Sequence, residues 1–356
     1  MPDSARPARH DIVAAFRTQA GWCRDLGSPF TARLLDEAAG ALERGGPPAD
    51  LLGDWPGEPV ADALALRFAG ALHDLVLSGD APALAALYPP ATMLPDGAAL
   101  WAAVEDALAA HRERVTAFLA SAPQTNEARR SAVLLGGFLE VAAATGLPLR
   151  ALEIGASAGL NQVWDRFRYR LGGFAWGDPD SPVTVEAAWE GPTPRLDAPV
   201  RVAARGACDI GPVDLEDPDR RRRLQAYVWA DQRQRMELLS AAIGLARDSG
   251  VRVEAADAAD WLERALAVPA AGTATVLYHS VVWQYMPAAS QARIEALMAD
   301  KAQAATAGAP LAWLRFEPGA DKAFELTLEC WPGPAGRRLL ARAHPHGTRV
   351  EWLAGG

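Results

Sequence analysis

Cysteine is scarce in this chain. The three cysteines, Cys23, Cys208 and Cys330, are odd in number, lie far apart and form no Cys-x-x-Cys pair. This argues against a disulfide framework and against a thiolate zinc site. Of the six histidines, no two have the i, i+4 spacing of a helical metal pair, and only His344 and His346 alternate closely enough to serve as a ligand pair. We therefore predict no bound metal.

Long apolar runs are missing as well. Residues 1–6 lead into no hydrophobic segment of the signal-peptide kind, and no apolar stretch is long enough to span a bilayer. The chain nevertheless has enough hydrophobic residues for a sizeable core, since 50% of the 356 residues are hydrophobic. We expect a soluble, cytoplasmic protein without membrane contact, made of one large domain or two ordinary ones.

Positive charge forms no extended patch. The net charge is −9, and the one dense basic run, residues 220–223, is flanked by aspartate and glutamate, which is typical of a solvated helix surface. Nucleic-acid binding requires a clustered lysine and arginine face. We therefore predict a small-molecule substrate and no nucleic-acid partner, while the sequence sets no oligomeric state.

The first third of the chain has a helical pattern throughout. Its Ala- and Leu-rich stretches contain few β-branched residues and are separated by Gly- and Pro-containing breakers. The clearest stretches are 31–42, 59–77 and 98–119. The pattern predicts an all-α N-terminal region over residues 1–125.

The remainder alternates strands with helices. Apolar runs with strand character occur at 149–154, 200–204, 251–255, 275–278 and 310–316. Helical segments between them favour a doubly wound, mostly parallel sheet covered on both faces. We predict an α/β domain over residues 126–356.

Two features depart from this alternation. In residues 167–190, apolar and polar residues alternate on both sides of Gly172 and Gly173, which predicts an inserted hairpin. The last strands, 324–330 and 348–353, have no long helix between them, so we expect them to form an antiparallel pair at the sheet edge.

The most informative segment is the turn after the first strand. Small residues follow the strand there, allowing backbone N–H groups to approach a ligand, and a helix predicted from Leu160 would point its positive end at the same place. A dinucleotide fingerprint would need glycine at Ser157 and Leu160, so a nicotinamide or flavin cofactor is not supported. Tight packing is the alternative role for these small residues.

The turn resembles motif I of the class I methyltransferases that use S-adenosylmethionine, an acidic residue followed by three alternating glycines. Glu153, Gly155 and Gly159 match this motif, and Ser157 replaces the middle glycine. The resemblance covers about residues 126–356 and implies a Rossmann-like fold that binds S-adenosylmethionine.

In that family, an acidic residue after the second strand binds the ribose and another, after the third strand, meets the adenine amino group. Asp209 and Asp257 stand at these positions in order. The interval before Asp209 is unusually long, so Asp178, Asp180 and Asp231 remain rival ribose ligands. Asp257 also fits the pattern of a helix N-cap.

Polar residues also follow the fourth strand. Histidine side chains in general change protonation near working pH, so His279 is a candidate general base, although a structural histidine is the alternative. Gln284 and Tyr285 are candidates for orienting a polar substrate. We expect cofactor contacts from Glu153, Gly155, Ala156, Ser157, Gly159, Asn161, Asp209, Asp257, Ala258, His279 and Ser280.

Residues 123–127 precede the helix that leads into the first strand. Thr125 or Asn126 fits an N-cap there. Alternatively, Asn126 and Glu127 fold over the cofactor mouth as a substrate-side lid.

The whole chain also resembles a bacterial family known only as a domain of unknown function. The resemblance rests on Phe30 after residues 26–29, on 124–127, on the turn after the first strand, and on His279-Ser280 with Gln284-Tyr285. It implies that both regions form one working unit. Three hypotheses follow: a methyltransferase acting on an oxygen or nitrogen nucleophile of a small molecule, a catalytically silent protein that binds an adenosyl or nucleotide ligand, and an interaction module built on the helical half.

Overall fold

The computed structural model of the chain describes residues 8–90, 93–319, 321, 323–334 and 336–355. Within these residues, the chain divides into two compact units. The helical unit comprises Met1–Thr125 and Asp217–Glu237, and the sheet unit comprises Asn126–Glu216 and Leu238–Gly356. A mixed α/β chain with a helical N-terminal region is therefore confirmed. Residues 217–237, which the sequence pattern placed in the α/β domain, instead cluster with the N-terminal helices.

The helices are short to medium in length. In chain order they are α1 (Arg9–Asp25), α2 (Pro29–Arg44), α3 (Pro47–Leu52), α4 (Leu64–Ser78), α5 (Pro82–Ala85), α6 (Gly97–Ala110), α7 (Arg112–Leu119), α8 (Ser131–Thr145), α9 (Pro218–Ala226), α10 (Arg233–Asp248), α11 (Ala258–Ala265) and α12 (Ala288–Ala304). Three 3₁₀ helices span Ala128–Arg130, Leu160–Arg166 and Trp283–Tyr285.

The strands all belong to the sheet unit. They are β1 (Leu149–Ile154), β2 (Arg168–Leu171), β3 (Phe174–Trp176), β4 (Thr184–Glu190), β5 (Val202–Asp209), β6 (Glu254–Ala255), β7 (Ala274–Ser280), β8 (Leu311–Pro318), β9 (Phe324–Trp331), β10 (Arg338–Ala343) and β11 (Arg349–Trp352).

The helical unit is held by an apolar core and by one buried carboxylate. Pro residues begin α2, α3, α5 and α9, where a missing N–H costs nothing, and Gly79 ends α4 with a left-handed conformation. Asp74 is 5% exposed and forms ion pairs with Arg114 and with Arg222, at 2.8 Å for the latter. The predicted helix over 98–119 is interrupted at His111, and the one over 59–77 begins only at Leu64.

Within the described residues, the sheet has eleven strands in the order β3-β2-β4-β11-β10-β9-β8-β7-β1-β5-β6. The strands β6, β5, β1, β7 and β8 pair in parallel, and they form the core of the sheet. Helix α8 packs on one face, and α11 and α12 cover the other through a cluster of apolar residues. The mostly parallel sheet with helices on both faces agrees with the sequence pattern.

The predicted antiparallel edge pair is wrong. The strand β9 pairs with β8 and β10, whereas β11 pairs with β10 and with β4. The sequence pattern missed β10, and the sheet continues past β11 into the inserted segment, where β2 and β3 form a hairpin and β4 runs parallel to β2. The pairing of β11 with β4 joins segments far apart in the chain, so local alternation does not encode it.

The helix predicted from Leu160 is also different. It is a seven-residue 3₁₀ helix with a kink at Val163, and the side chains of Asn161 and Gln162 are buried. These side chains contact the sheet unit's interior, so the segment follows tertiary contacts rather than the regular α-helical repeat. The strand predicted over 251–255 is reduced to β6.

Two glycines let α8 approach the sheet. A Cβ at Gly136 would overlap the ring of Trp352, and a Cβ at Gly137 would overlap Leu314. Stacking of Phe138 on Trp164, with ring centroids 4.0 Å apart, continues the same interface. Among the described residues, no helix combines the length and hydropathy needed to cross a membrane.

Candidate active site at the carboxyl edge of the sheet

The parallel core brings the candidate residues to one edge. Because β1, β5, β6, β7 and β8 run in the same direction, their carboxyl ends meet there. Strand order reverses at β1, which lies between β5 and β7, and ligands of doubly wound sheets bind at such a switch point. The turn 155–159 follows β1 at this position.

The backbone of this turn is left-handed at three alternating residues. The φ angles of Gly155, Ser157 and Gly159 are 66°, 53° and 73°. Glycine adopts these angles freely, but serine does so at a cost. A Cβ at Gly155 would overlap Val282, and one at Gly159 would lie 2.7 Å from a methyl carbon of Val251. Both glycines therefore also serve close packing, the alternative role considered for them.

Asp209 lies directly beside the turn. Its Oδ2 accepts a hydrogen bond from the Ser157 N–H at 2.8 Å, and its Oδ1 accepts one from the Gly211 N–H at 2.9 Å. The carboxylate thus connects the end of β5 to the turn after β1. Each oxygen retains a lone pair for a further donor.

The rival aspartates lie elsewhere. Asp178 accepts a hydrogen bond from the N–H of Asp180 at 2.9 Å, and both are exposed in the loop between β3 and β4. Asp231 belongs to the helical unit, where its carboxylate accepts hydrogen bonds from the hydroxyl of Ser28 and from the N–H of Phe30. Only Asp209, of these four, contacts the turn.

Asp257 caps α11. Its Oδ1 accepts hydrogen bonds from the N–H groups of Ala259 and Asp260 at 2.9 and 3.2 Å, as an N-cap should. Its Oδ2 accepts one from the hydroxyl of Ser290 at 3.2 Å. Ala258, the first residue of α11, follows this cap at the same edge of the sheet.

Glu153 faces the interior rather than the turn. It is 2% exposed, and its Oε2 accepts hydrogen bonds from the Gln162 amide at 2.9 Å and from the Tyr278 hydroxyl at 3.1 Å. Burial raises the pKa of this carboxyl to about 7, although both hydrogen bonds act to lower it. The Glu153 carboxyl group is therefore engaged by Gln162 and Tyr278 inside the sheet unit.

Residues 123–127 were predicted to form either a helix N-cap or a lid over the cofactor mouth, and Asn126 and Glu127 make different contacts. Glu127, rather than Thr125 or Asn126, caps the following 3₁₀ helix by accepting a hydrogen bond from the Arg129 N–H at 3.3 Å. The Asn126 side-chain oxygen accepts one from the N–H of Leu160 at 2.9 Å, so Asn126 contacts the end of the glycine turn. Both side chains are buried.

Two buried polar atoms beside the turn lack partners within the described residues. They are the Ser157 hydroxyl and the Asn161 side-chain oxygen. The Asn161 amide nitrogen donates to the carbonyl of Glu127 at 3.4 Å, which fixes the orientation of that side chain. Buried polar groups normally have a hydrogen-bond partner, so this pair marks a place suited to a ligand.

His279 is paired with a carboxylate that the sequence analysis missed. Its Nδ1 lies 2.7 Å from Oε1 of Glu317, which also accepts a hydrogen bond from the Val282 N–H at 3.1 Å. The imidazole is fully buried and stacks on Trp283 with centroids 5.2 Å apart, and its Nε2 has no partner among the described residues. The only sequence signal for Glu317 was its position at the end of the fifth strand.

Gln284 and Tyr285 do not approach His279. Both are exposed, Tyr285 by 74%. Val281 has a φ of 55°, which turns the chain so that Trp283, rather than Tyr285, lies against the imidazole. Ser280 is buried, and its carbonyl accepts a hydrogen bond from Arg130 at 3.4 Å.

A family model for an “uncharacterized protein conserved in bacteria (DUF2332)” matches residues 13–352. The chain belongs to this family. The match extends across both units, in agreement with the whole-chain resemblance. No curated protein and no solved structure matches the chain. Within the described residues, no group of three or more histidine, cysteine, aspartate or glutamate side chains could hold a metal ion.

Proposed function

We propose that the sheet unit binds S-adenosylmethionine at the carboxyl ends of β1 and β5 and transfers its methyl group to an oxygen or nitrogen of a small molecule. The supporting observation is the 2.8 Å hydrogen bond between Asp209 and the N–H of Ser157. It joins the acidic residue after the second core strand to the turn that resembles motif I. The core strand order β6-β5-β1-β7-β8 is that of doubly wound nucleotide-binding sheets.

The residues around the turn fit an adenosyl amino acid. The remaining lone pairs of Asp209 suit the two hydroxyl groups of a ribose. The unpartnered Ser157 hydroxyl and Asn161 carbonyl oxygen suit the polar end of the amino acid, since both accept hydrogen bonds from an ammonium group. Asp257 lies at the end of the neighbouring strand and would meet the adenine.

The His279–Glu317 pair supports proton removal from the acceptor. The bound cofactor supplies an electrophilic methyl group on a sulfonium. Because an ionised Glu317 can only accept, Nδ1 of His279 carries the hydrogen and Nε2 keeps the lone pair that takes a proton from the nucleophile. Glu317 orients the imidazole, and the stacked Trp283 ring excludes water from it.

Calorimetric titration with S-adenosylhomocysteine tests the binding step. We expect micromolar binding by the wild type and at least tenfold weaker binding by Asp209→Asn, because an amide presents one accepting oxygen where the carboxylate has two. Asp178→Asn makes the same chemical change at an exposed turn and should bind like the wild type. Absence of binding by folded wild-type protein free of carried-over ligand would refute the proposal.

Binding without methyl transfer is the second candidate. The observation in its favour is the burial of His279, whose exposed fraction is 0%, together with the packing of Val282 against Gly155. Transfer of labelled methyl from S-adenosylmethionine to a panel of small alcohols, phenols and amines separates the two. Turnover that is lost in His279→Asn while S-adenosylhomocysteine binding persists supports catalysis, whereas binding with no turnover supports the second candidate.

A further inference from the structure

The half-buried side chain of Arg129 has no anionic partner in the part of the chain that the structure describes. Arg129 lies in the 3₁₀ helix Ala128–Arg130, and its side chain forms no ion pair or hydrogen bond with any described residue. Its Nε is fully buried and unpartnered. Desolvating a cation is costly, and buried cations are normally paired with a carboxylate. The Arg129 guanidinium is therefore available to bind an anion.

The loop between β10 and β11 is firmly attached to this 3₁₀ helix. Arg130 donates a hydrogen bond through Nε to the carbonyl of Pro345 at 3.0 Å. Gly347 has a φ of 69°, and a Cβ there would overlap the carbonyl oxygen of Arg129. Two segments more than 200 residues apart are thus held together, and the site is formed before any ligand arrives.

Glu127, the nearest carboxylate to the Arg129 backbone, is already engaged. Its Oε1 accepts from the Arg129 N–H, and its Oε2 lies 3.3 Å from Nδ1 of His346. Glu127 also makes further interactions. Neither carboxylate oxygen forms an ion pair with the Arg129 guanidinium.

His344 supplies a second donor. Its Nδ1 accepts a hydrogen bond from the N–H of His346 at 3.1 Å, so the neutral ring carries its hydrogen on Nε2. Burial lowers the pKa of His344, and the nearby His346 and Arg129 lower it further. The loop that carries His344 packs on the backbone of Arg129, since a Cβ at Gly347 would overlap the Arg129 carbonyl oxygen.

We propose that Arg129 and His344 bind the carboxylate or phosphate group of a small-molecule ligand. Arginine presents parallel N–H donors that match both oxyanions, and a neutral imidazole N–H adds a third. The site adjoins the glycine turn, since Asn161 donates to Glu127 and Asn126 accepts from Leu160. This proposal does not rest on methyl transfer, because the anion site is complete without a cofactor.

Inorganic phosphate and acetate, titrated separately at constant ionic strength against chloride, serve as probes. Thermal unfolding and the histidine Cε1–H resonances of the whole chain report binding. We expect phosphate or acetate to raise the unfolding temperature and shift the His344 resonance, with an apparent Kd about tenfold or more weaker in Arg129→Gln. The stronger of the two probes identifies the group that the site prefers.

Arg201→Gln is the matched control, because Arg201 is exposed in the same unit and loses the same charge. It should respond like the wild type. Arg129→Lys keeps the charge but lacks the parallel N–H donors of the guanidinium, so it should bind the anion with intermediate affinity. This variant controls for a folding defect in Arg129→Gln. Equal responses in the wild type and Arg129→Gln, or no response of folded wild type to either anion, would overturn the proposal. Because no adenosyl compound is present, this result is independent of the methyltransferase test.

Discussion

Replacing Glu153 with glutamine tests the electrostatics of the sheet core. The carboxyl group is buried against Gln162 and Tyr278, and burial raises its pKa from 4.5 to about 7. A folded-state pKa above the unfolded value means that folding favours the protonated form. Its stabilising contribution is fully present below pH 4.5 and is lost as the pH rises through about 7.

The magnitude follows from the size of that shift. Each pKa unit corresponds to about 1.4 kcal/mol, so ionisation of Glu153 costs the folded state about 3 kcal/mol by pH 8. Glutamine has nearly the same shape as the protonated side chain and does not ionise. Glu153→Gln should therefore remove most of the decline in stability between pH 5 and 8, and it should be more stable than the wild type at pH 8.

Urea unfolding at several pH values between 5 and 8 measures this effect. Hydrogen exchange of peptides from β1 and β7, corrected for intrinsic rates, restricts the signal to the sheet unit. Glu186→Gln is the control, because Glu186 is exposed on β4 and should leave the pH dependence unchanged. If Glu153→Gln shows the same decline with pH as the wild type, the raised pKa of Glu153 is wrong.

Four further changes probe packing and the site. Gly136→Ala should lower the free energy of unfolding of the sheet unit, measured in urea, by about 1–3 kcal/mol, because its Cβ would meet the tryptophan of β11. Gly244→Ala is the control. It lies in an open position on α10 and should raise the free energy of unfolding by about 0.5–1 kcal/mol. Asp74→Asn leaves Arg114 and Arg222 without their shared carboxylate. Because both arginines are partly exposed, we expect the free energy of unfolding of the helical unit to fall by only about 2–3 kcal/mol, measured by thermal unfolding. Glu317→Ala removes the acceptor of the His279 imidazole, so chymotrypsin should cleave the turn 283–285 faster than in the wild type; unchanged cleavage would contradict that anchoring.

Local sequence signals predicted several backbone features of the candidate site, because each depends on residues within one turn of the chain. Small residues after β1 specify a left-handed, closely packed backbone at Gly155 and Gly159. Asp257 caps α11 through the N–H groups of Ala259 and Asp260. Alternating strands and helices likewise predicted a parallel core, whose carboxyl edge gathers Asp209 and His279.

Contacts between distant segments were decided only by the tertiary structure. The pairing of β11 with β4 depends on a partner more than 150 residues away, which no local alternation specifies. Tertiary contacts also place Glu317 beside His279, 38 residues away, and Asp209 beside Ser157 of the turn, 52 residues away. The sequence by itself determined which residue types stand at strand ends and turns. Folding decided which of them meet, because the sheet brings chain-distant carboxylates, imidazoles and guanidinium groups to one edge.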